Sequence, residues 1–455
     1  MHSSVFASSP FSFTNSSHAI AFIIAQKMVL EKLPISSCKL IHWHPSINFL
    51  LNKKSASGTS TPLPLNLEGF LGFLYLSFVV KLSMNVLQQI FSDFYDQILT
   101  LPLRPVVVEN IDKMIHCGDF SKGFALYGCT HCGKFKPVAF RCKSRFCPTC
   151  GNLYSRKRST AMSFKLLNCR HRHCVFTIPE QLRLFFLKDR SLLSDLFHSG
   201  RDVILRLFSK MNRSENFTPG FICVLHTFGR DLKWNPHIHV LVSEGAAGNM
   251  TPWRKVSHFN FNFLRFAFRT ALLDRLAARL GSSFTTMKSL IYKLCPQGFY
   301  VYAKPSVCNP HQVAKYIGRY LGRPVIATSR IDSYDGQSVT FHYNRHEDGL
   351  LIHETISVMD FIKRLIRHIP DKHFKMIRYY GLYTKHHPQM PYFRYAIHPS
   401  KRKILRSFNR WRDSIALSFG LDPLLCSCGH TMSILEIYHH HTALFHQYLK
   451  DPDSS

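Results

Sequence analysis

The stretch Trp234-Asn235-Pro236-His237-Ile238-His239-Val240-Leu241-Val242 predicts an apolar strand that carries two histidines. Alternate residues of a strand point to the same face of a sheet, so we expect His237 and His239 to lie side by side. The valine and leucine residues that follow are typical of a buried central strand, where imidazole groups need polar partners. The spacing therefore favours a metal site on one face of a sheet.

A second apolar run, Phe221 to Phe228, predicts a partner strand that forms a hairpin with the first. His226 on this strand is one candidate for a third metal ligand. Gln312 competes with it, because it lies one helical turn before Tyr316. Two imidazoles and one further side chain leave coordination positions open for a phosphate oxygen, and Mg²⁺ or Mn²⁺ suits such an oxygen. No glutamate lies beside the histidines to act as the general base of a zinc hydrolase.

A predicted helix after Pro310 carries two tyrosines one turn apart. Gln312, Tyr316 and Tyr320 recur every four residues, so they share one face of the helix. A tyrosine hydroxyl has an ordinary pKa near ~10, and it attacks phosphorus only when its proton is removed or its phenolate is stabilised. A metal ion and the cations Lys315, Arg319 and Arg323 can provide that stabilisation, and these cations are also candidates for DNA binding. Packing of an amphipathic helix is the alternative interpretation of the two tyrosines.

The charge of the chain indicates a polyanionic partner. Among 455 residues, 58 basic and 27 acidic side chains give a formal net charge of +31, while 45% of the residues are hydrophobic. The basic residues are dispersed among aromatic ones, which favours nucleic acid over a polybasic membrane anchor. No stretch reaches the ~18 apolar residues of a membrane span. We therefore expect a soluble, cytoplasmic protein that binds nucleic acid.

Two Cys-x-x-Cys knuckles predict a structural zinc site. Cys129 and Cys132 form the first knuckle, Cys147 and Cys150 form the second, and fourteen residues separate them. Four thiolates enclose Zn²⁺ tetrahedrally and leave no position for catalysis. Two neighbours, Cys142 and His131, are spare ligands, and the flanking Arg145 and Arg156 are candidates for DNA binding, with a solvated charged face as the alternative.

Weaker metal candidates lie in two other places. The run Cys169-Arg170-His171-Arg172-His173-Cys174 resembles a metal cluster but continues directly into a predicted strand. The run Cys426-Ser427-Cys428-Gly429-His430 is only a partial knuckle.

Composition and hydrophobic periodicity divide the chain into four predicted segments. Residues 1–83 show no sustained period and are expected to be an upstream extension without a part in the activity. Residues 84–168 begin with a predicted helix, Asn85 to Leu101, and contain the zinc module. Residues 169–330 alternate predicted strands and helices around the histidine pair, and residues 331–455 complete the protein.

Several motifs together resemble the two-tyrosine HUH transposases of rolling-circle insertion sequences. In chain order they are the zinc knuckles, Phe-Thr-Ile-Pro (176–179), His-Thr-Phe-Gly-Arg-Asp-Leu (226–232), Asn-Pro-His-Ile-His-Val-Leu-Val (235–242), Tyr-x-x-x-Tyr (316–320), His-Ile-Pro (368–370) and Ile-Arg-Tyr-Tyr-Gly-Leu-Tyr (377–383). The similarity covers roughly residues 84–435. It implies an α+β endonuclease domain with a central antiparallel sheet flanked by helices, preceded by the zinc-binding module.

The resemblance also implies an activity. A transposase of this kind nicks single-stranded DNA at the ends of its element, forms a 5′-phosphotyrosine on Tyr316 or Tyr320, and transfers the strand to target DNA, with the divalent metal held by His237 and His239. Two other interpretations stay open at this point. One is a plasmid or phage replication initiator or relaxase with the same chemistry, and the other is a non-catalytic zinc-ribbon DNA-binding protein.

Overall fold

The computed structural model describes residues 84–303, 325–345, 347–384 and 406–439, together with 387, 403, 404 and 442–444. The predicted helix of Tyr316 and Tyr320 lies outside these residues. The chain divides into two compact units. Among the described residues, the first unit comprises residues 84, 118–140, 426–439 and 442–444, and the second comprises residues 85–117 and those between 141 and 425.

Short runs of helices and of strands follow one another along the described part of the chain. The helices are α1 (Val86–Asp93), α2 (Tyr95–Leu99), α3 (Pro105–Ile115), α4 (Pro148–Lys165), α5 (Glu180–Lys188), α6 (Leu193–Ser209), α7 (Phe261–Leu280), α8 (Thr285–Leu294), α9 (Val358–Ile366) and α10 (Trp411–Phe419). The strands are β1 (Gly123–Gly128), β2 (Phe135–Ala139), β3 (His171–Thr177), β4 (Thr218–Phe228), β5 (Trp234–Ala247), β6 (Arg254–Lys255), β7 (Val301–Tyr302), β8 (Ile331–Tyr334), β9 (Ser338–Asn344), β10 (Leu351–Ser357), β11 (Ile377–Gly381), β12 (Ser433–His439) and β13 (Thr442–Leu444).

The largest sheet of the second unit is antiparallel and has the order β11-β4-β5-β3-β7, with β6 paired to β5. The hairpin of β4 and β5 forms as the sequence predicts, and β5 becomes a central strand. Helices α6 and α7 cover one face, where side chains such as Phe197 and Phe268 join Ile238 and Val240 in the main hydrophobic core. The α+β fold with an antiparallel sheet flanked by helices is therefore confirmed.

One glycine allows α6 to lie close against β5. A Cβ atom built on Gly200 would come within 2.3 Å of Ile238 Cδ1. Ile238 is fully buried and lies between the two histidines of β5. The isoleucine therefore fixes the helix-covered face of the strand, and the histidines take the opposite face because side chains alternate.

A second core of this unit lies around a smaller sheet. Strands β8, β9 and β10 form a three-stranded antiparallel sheet, and Phe341 of β9 packs with Phe361 of α9. The same core includes buried side chains of α1 and α3. The helix predicted from Asn85 to Leu101 is interrupted at Phe94, where φ is −110° and ψ is 13°, so that it forms two shorter helices.

The described part of the first unit is a four-stranded antiparallel sheet of order β13-β12-β1-β2. Its two central strands come from distant parts of the sequence, since β1 spans Gly123–Gly128 and β12 spans Ser433–His439. Within the residues that the structure describes, no helix is long and apolar enough to cross a membrane.

Candidate metal centre

The two histidines of β5 and one of β4 come together on the sheet face opposite α6. His237 pairs with His226 across the β4–β5 ladder, and His239 lies two residues further along the same face. The imidazole nitrogens of the three residues lie within 4.8 Å of one another. The prediction that His226 shares a site with His237 and His239 therefore has a geometric basis, whereas Gln312 lies outside the described residues.

Hydrogen bonds indicate which nitrogens of the two β5 histidines can bind a cation. The Nδ1–H of His237 donates to Asn235 O at 2.7 Å, so its Nε2 carries the lone pair. That Nε2 lies 3.1 Å from the Nε2 of His239. On the other side of the His239 ring, Nδ1 lies 2.9 Å from the Nε2 of His173. If His239 donates its Nδ1–H to His173, both Nε2 atoms face the centre of the cluster as lone-pair donors.

Burial keeps these imidazoles neutral at neutral pH. It lowers the pKa of His237, lowers that of His239 well below its ordinary value, and lowers the pKa of His173 to about 4. Neighbouring imidazoles act in the same direction, since positive charge on His226 or His237 disfavours a proton on His239. Neutral imidazoles are the form that binds a metal ion. Within the described residues, no carboxylate belongs to this group.

His173 also belongs to this neighbourhood, although the sequence predicts only a weak cysteine–histidine metal site over residues 169–174. In the structure Cys174 faces the helix-covered core, and no metal group within the described residues uses this run. The strand β3 begins at His171, three residues before the predicted strand, and its pairing with β5 brings His173 beside His239.

The four predicted zinc ligands are divided between two groups of four cysteines, and within each group the sulfur atoms lie within 4.8 Å of one another. One group contains Cys117, Cys142, Cys147 and Cys150, and the other contains Cys129, Cys132, Cys426 and Cys428.

The group in the second unit lies between the end of α3 and the start of α4. Cys117 Sγ is 3.5 Å from Cys150 Sγ, and Cys142 Sγ is 3.6 Å from Cys150 Sγ. Four sulfurs about 2.3 Å from one ion stand about 3.8 Å apart, so the spacing suits tetrahedral Zn²⁺. The spare ligand Cys142 thus takes part, and Cys117 and Cys142 together provide the two sulfurs that the spacing had assigned to Cys129 and Cys132.

The structure describes two of the five basic residues that are candidates for DNA binding, Arg145 and Arg156. Arg145 lies over the ring of Tyr154 at 5.6 Å, and Arg156 lies over the ring of Phe419 at 4.6 Å. These cation–π contacts orient both guanidinium groups. Their role in DNA binding stays a prediction. The tyrosines Tyr316 and Tyr320 and the cations Lys315, Arg319 and Arg323 lie outside the described residues.

Two of these groups lie within stretches that match transposases. They are the three histidines and the group of Cys117, Cys142, Cys147 and Cys150. Residues 220–390 match the family model Y2_Tnp, described as “Putative transposase”, and residues 86–178 match a family model described as the zinc-binding domain of transposases, Zn_Tnp_IS91. The chain belongs to the IS91 family of transposases, and is therefore a DNA-processing enzyme with a structural zinc-binding domain.

Two similar proteins are also named as transposases. The chain is 31% identical over 294 residues to the transposase for insertion sequence element IS801 of Pseudomonas savastanoi pv. phaseolicola, covering 61% of this chain and 70% of the relative. It is 28% identical over 284 residues to “Putative transposase y4qJ” of Sinorhizobium fredii, covering 58% of this chain and 71% of the relative. No solved structure matches the chain.

Proposed function

We propose that the protein transposes its element by nicking single-stranded DNA at the element ends, with a divalent cation at His226, His237 and His239 and with Tyr316 and Tyr320 as nucleophiles. The histidine group carries the proposal. It lies within the stretch that matches a transposase family model, and its imidazole nitrogens lie within 4.8 Å of one another on one face of the β4–β5 hairpin. The proposed substrates are the ends of the element and the target DNA.

The spacing of the nitrogens suits a cation with open coordination positions. Two nitrogens that bind one ion at about 2.1 Å and at a right angle to each other stand about 3.0 Å apart. The observed separation between His237 Nε2 and His239 Nε2 is 3.1 Å. Three protein donors leave positions free for a phosphate oxygen and water, and Mg²⁺ or Mn²⁺ would there polarise the scissile phosphate.

The covalent step replaces one phosphodiester bond with another, so the bond energy is kept for the later transfer. The Oη of Tyr316 or Tyr320 attacks phosphorus, the new Oη–P bond forms, and the bond from phosphorus to the 3′ oxygen breaks. The tyrosine proton passes to solvent or a nearby base, and the departing 3′ oxygen takes up a proton. The 5′ end then stays attached to the protein, and attack by a 3′ hydroxyl of target DNA reverses the step. Two tyrosines allow one strand to be held while another is cut, which is the requirement of rolling-circle transposition.

A covalent adduct assay tests the proposal. The full chain is incubated with labelled single-stranded DNA of an element end and Mg²⁺ or Mn²⁺, and denaturing gels and peptide mass spectrometry locate the attached tyrosine. We expect the adduct on Tyr316 or Tyr320, its loss in the double variant Tyr316→Phe/Tyr320→Phe, and its loss in His239→Ala. The matched control is Tyr300→Phe, because Tyr300 is 57% exposed and is not a proposed nucleophile.

Either of two results would overturn the proposal. Full adduct formation by the double phenylalanine variant would exclude both tyrosines as nucleophiles. Unchanged cleavage by His239→Ala in a buffer free of other cations would exclude the histidine group as the metal site. A chain without any cleavage activity but with intact DNA binding would favour the non-catalytic interpretation.

A further inference from the structure

The first unit contains a group of four cysteines that neither matched stretch covers as a whole. Cys129 and Cys132 lie between β1 and β2, whereas Cys426 and Cys428 lie shortly before β12 and beyond both matched stretches. We propose that these four thiolates bind a second structural Zn²⁺, separate from the ion at Cys117, Cys142, Cys147 and Cys150, and that this ion joins the C-terminal segment to the loop between β1 and β2.

The distances between the sulfur atoms suit an ion better than disulfides. Cys129 Sγ lies 3.5 Å from Cys428 Sγ, and Cys132 Sγ lies 3.5 Å from Cys426 Sγ. A disulfide bond is about 2.05 Å long. Sulfurs around one tetrahedral Zn²⁺ stand about 3.8 Å apart, given a zinc–sulfur distance of about 2.3 Å. The pairs therefore have nearly the spacing of zinc ligands.

The two cysteine pairs lie on loops of the same design. In the first loop Gly133 N–H donates to Cys129 O at 2.9 Å, and Cys129 N–H donates to Lys134 O at 2.9 Å. In the second loop Gly429 N–H donates to Cys426 O at 3.0 Å, and Cys426 N–H donates to His430 O at 2.8 Å. The second loop is one residue shorter, since its motif is Cys-x-Cys-Gly instead of Cys-x-x-Cys-Gly.

The glycine after each second cysteine adopts a backbone conformation that disfavours other residues. The φ angle is +68° at Gly133 and +88° at Gly429. No heavy atom lies within 4 Å of a Cβ built at either position, so backbone conformation and not crowding explains the glycine. Both loops thus turn sharply behind a cysteine and present two sulfurs to the same centre, as zinc knuckles do.

A positive charge lies beside both loops. Lys134 Nζ donates to Ser427 Oγ at 2.9 Å and so connects the loop of Cys132 with the loop of Cys428. Four thiolates on Zn²⁺ carry a net negative charge, which an ammonium group stabilises.

A zinc ion would also explain how this part of the protein is stabilised. The buried hydrophobic cluster around the sulfurs consists, among the described residues, of Cys129, Cys426 and Met432. Such a cluster removes little apolar surface from water, and small modules of this kind use metal ions or disulfides instead. The ion would connect residues that are 299 and 294 positions apart in the sequence, closing the pairing of β1 with β12.

The test counts tightly bound zinc in the full chain. Protein is purified with a reductant, dialysed against EDTA to remove weakly held cations, and analysed by atomic emission. We expect two zinc ions per chain in the wild type and one in Cys428→Ser. The matched control is Cys295→Ser, since Cys295 is partly buried and belongs to neither group, and it should retain two ions.

Two further variants keep the test decisive. Cys428→His supplies an imidazole in place of a thiolate and should retain two ions, with a shifted visible absorption when Co²⁺ replaces Zn²⁺. This result separates loss of a ligand from misfolding of the serine variant. His430→Ala addresses a rival donor set, because His131, Cys428 and His430 also lie within 4.8 Å of one another. We expect His430→Ala to retain two ions.

Several outcomes would overturn the inference. They are a wild-type content of one zinc ion per chain, an unchanged content in Cys428→Ser, a loss of one ion in His430→Ala, and a Cys129–Cys428 or Cys132–Cys426 disulfide found by peptide mapping of freshly purified protein. None of these outcomes affects the proposed cleavage chemistry, which rests on other residues.

Discussion

At the scale of single residues, the chemistry of the histidine group depends on which nitrogen carries each proton. Asn235 O fixes the proton of His237 on Nδ1, and His173 provides an acceptor 2.9 Å from Nδ1 of His239. His173 does not belong to the group of three that faces the proposed ion. In the proposed site it would act through His239, as a positioning residue that selects the ring orientation and the tautomer of that imidazole.

This role predicts a specific defect in His173→Leu. Loss of the acceptor should raise the Mn²⁺ concentration for half-maximal cleavage about 10- to 100-fold, the usual range for loss of such a partner. Saturating Mn²⁺ should restore most of the cleavage rate, whereas His239→Ala should stay inactive. The measurement is adduct formation as a function of Mn²⁺ concentration, with His258→Ala as an exposed-histidine control. A lower rate with an unchanged metal dependence would indicate a purely structural role.

At the scale of secondary structure elements, the edge strand β11 is fixed to β4 by a backbone contact that only glycine permits. Gly381 pairs with Gly220 at the end of the ladder and has a φ of +56°. A Cβ built on Gly381 would lie 1.9 Å from Pro219 O. Directly after it, Leu382 N–H donates to Pro219 O at 3.1 Å, and Tyr383 Oη bonds His171 Nε2 at 2.6 Å. The glycine thus lets the chain turn and bury Leu382 and Tyr383.

We predict that Gly381→Ala lowers the free energy of unfolding more than an alanine substitution at a glycine whose added Cβ meets no other atom. A left-handed backbone alone costs about 1 kcal/mol for a residue with a Cβ, and the clash with Pro219 O adds to this because backbone must move. Gly349→Ala is the matched control, since its φ is +76° and nothing lies within 4 Å of a built Cβ. Urea unfolding followed by circular dichroism measures both variants. Equal free energies of unfolding would contradict the prediction.

At the scale of the whole molecule, the excess of positive charge should dominate DNA binding. A formal net charge of +31 in a protein that processes DNA implies that many phosphate contacts release counterions. Charge of this kind acts on the phosphate backbone and carries no sequence information by itself. Binding and cleavage should therefore respond differently to salt and to loss of the metal site.

We expect the affinity for single-stranded DNA to fall linearly with salt concentration on a double logarithmic plot. His239→Ala should show the same slope as the wild type, because the substitution removes no positively charged side chain that could contact phosphate. Fluorescence anisotropy with a labelled element end, and with a shuffled strand of equal length as control, measures the slope. An affinity that does not change with salt would be incompatible with binding through the phosphate backbone.

The local sequence determined the strand that carries His237 and His239, its hairpin with the strand of His226, and the two-cysteine knuckles. These features follow from periods of two residues and from short turns, which depend on neighbours along the chain. The segment boundaries at residues 83, 168 and 330 stay predictions.

Only the tertiary structure decided which cysteines share a centre and which histidine supports His239. Cys117 joins Cys150 across 33 residues, and Cys129 joins Cys428 across 299 residues. His173 reaches His239 because β3 pairs with β5, although 66 residues separate them. Spacing along the chain indicates the kind of ligand, but the partner of a distant ligand depends on how strands and helices pack. That packing is a property of the whole chain, because it depends on contacts between segments that no local pattern encodes.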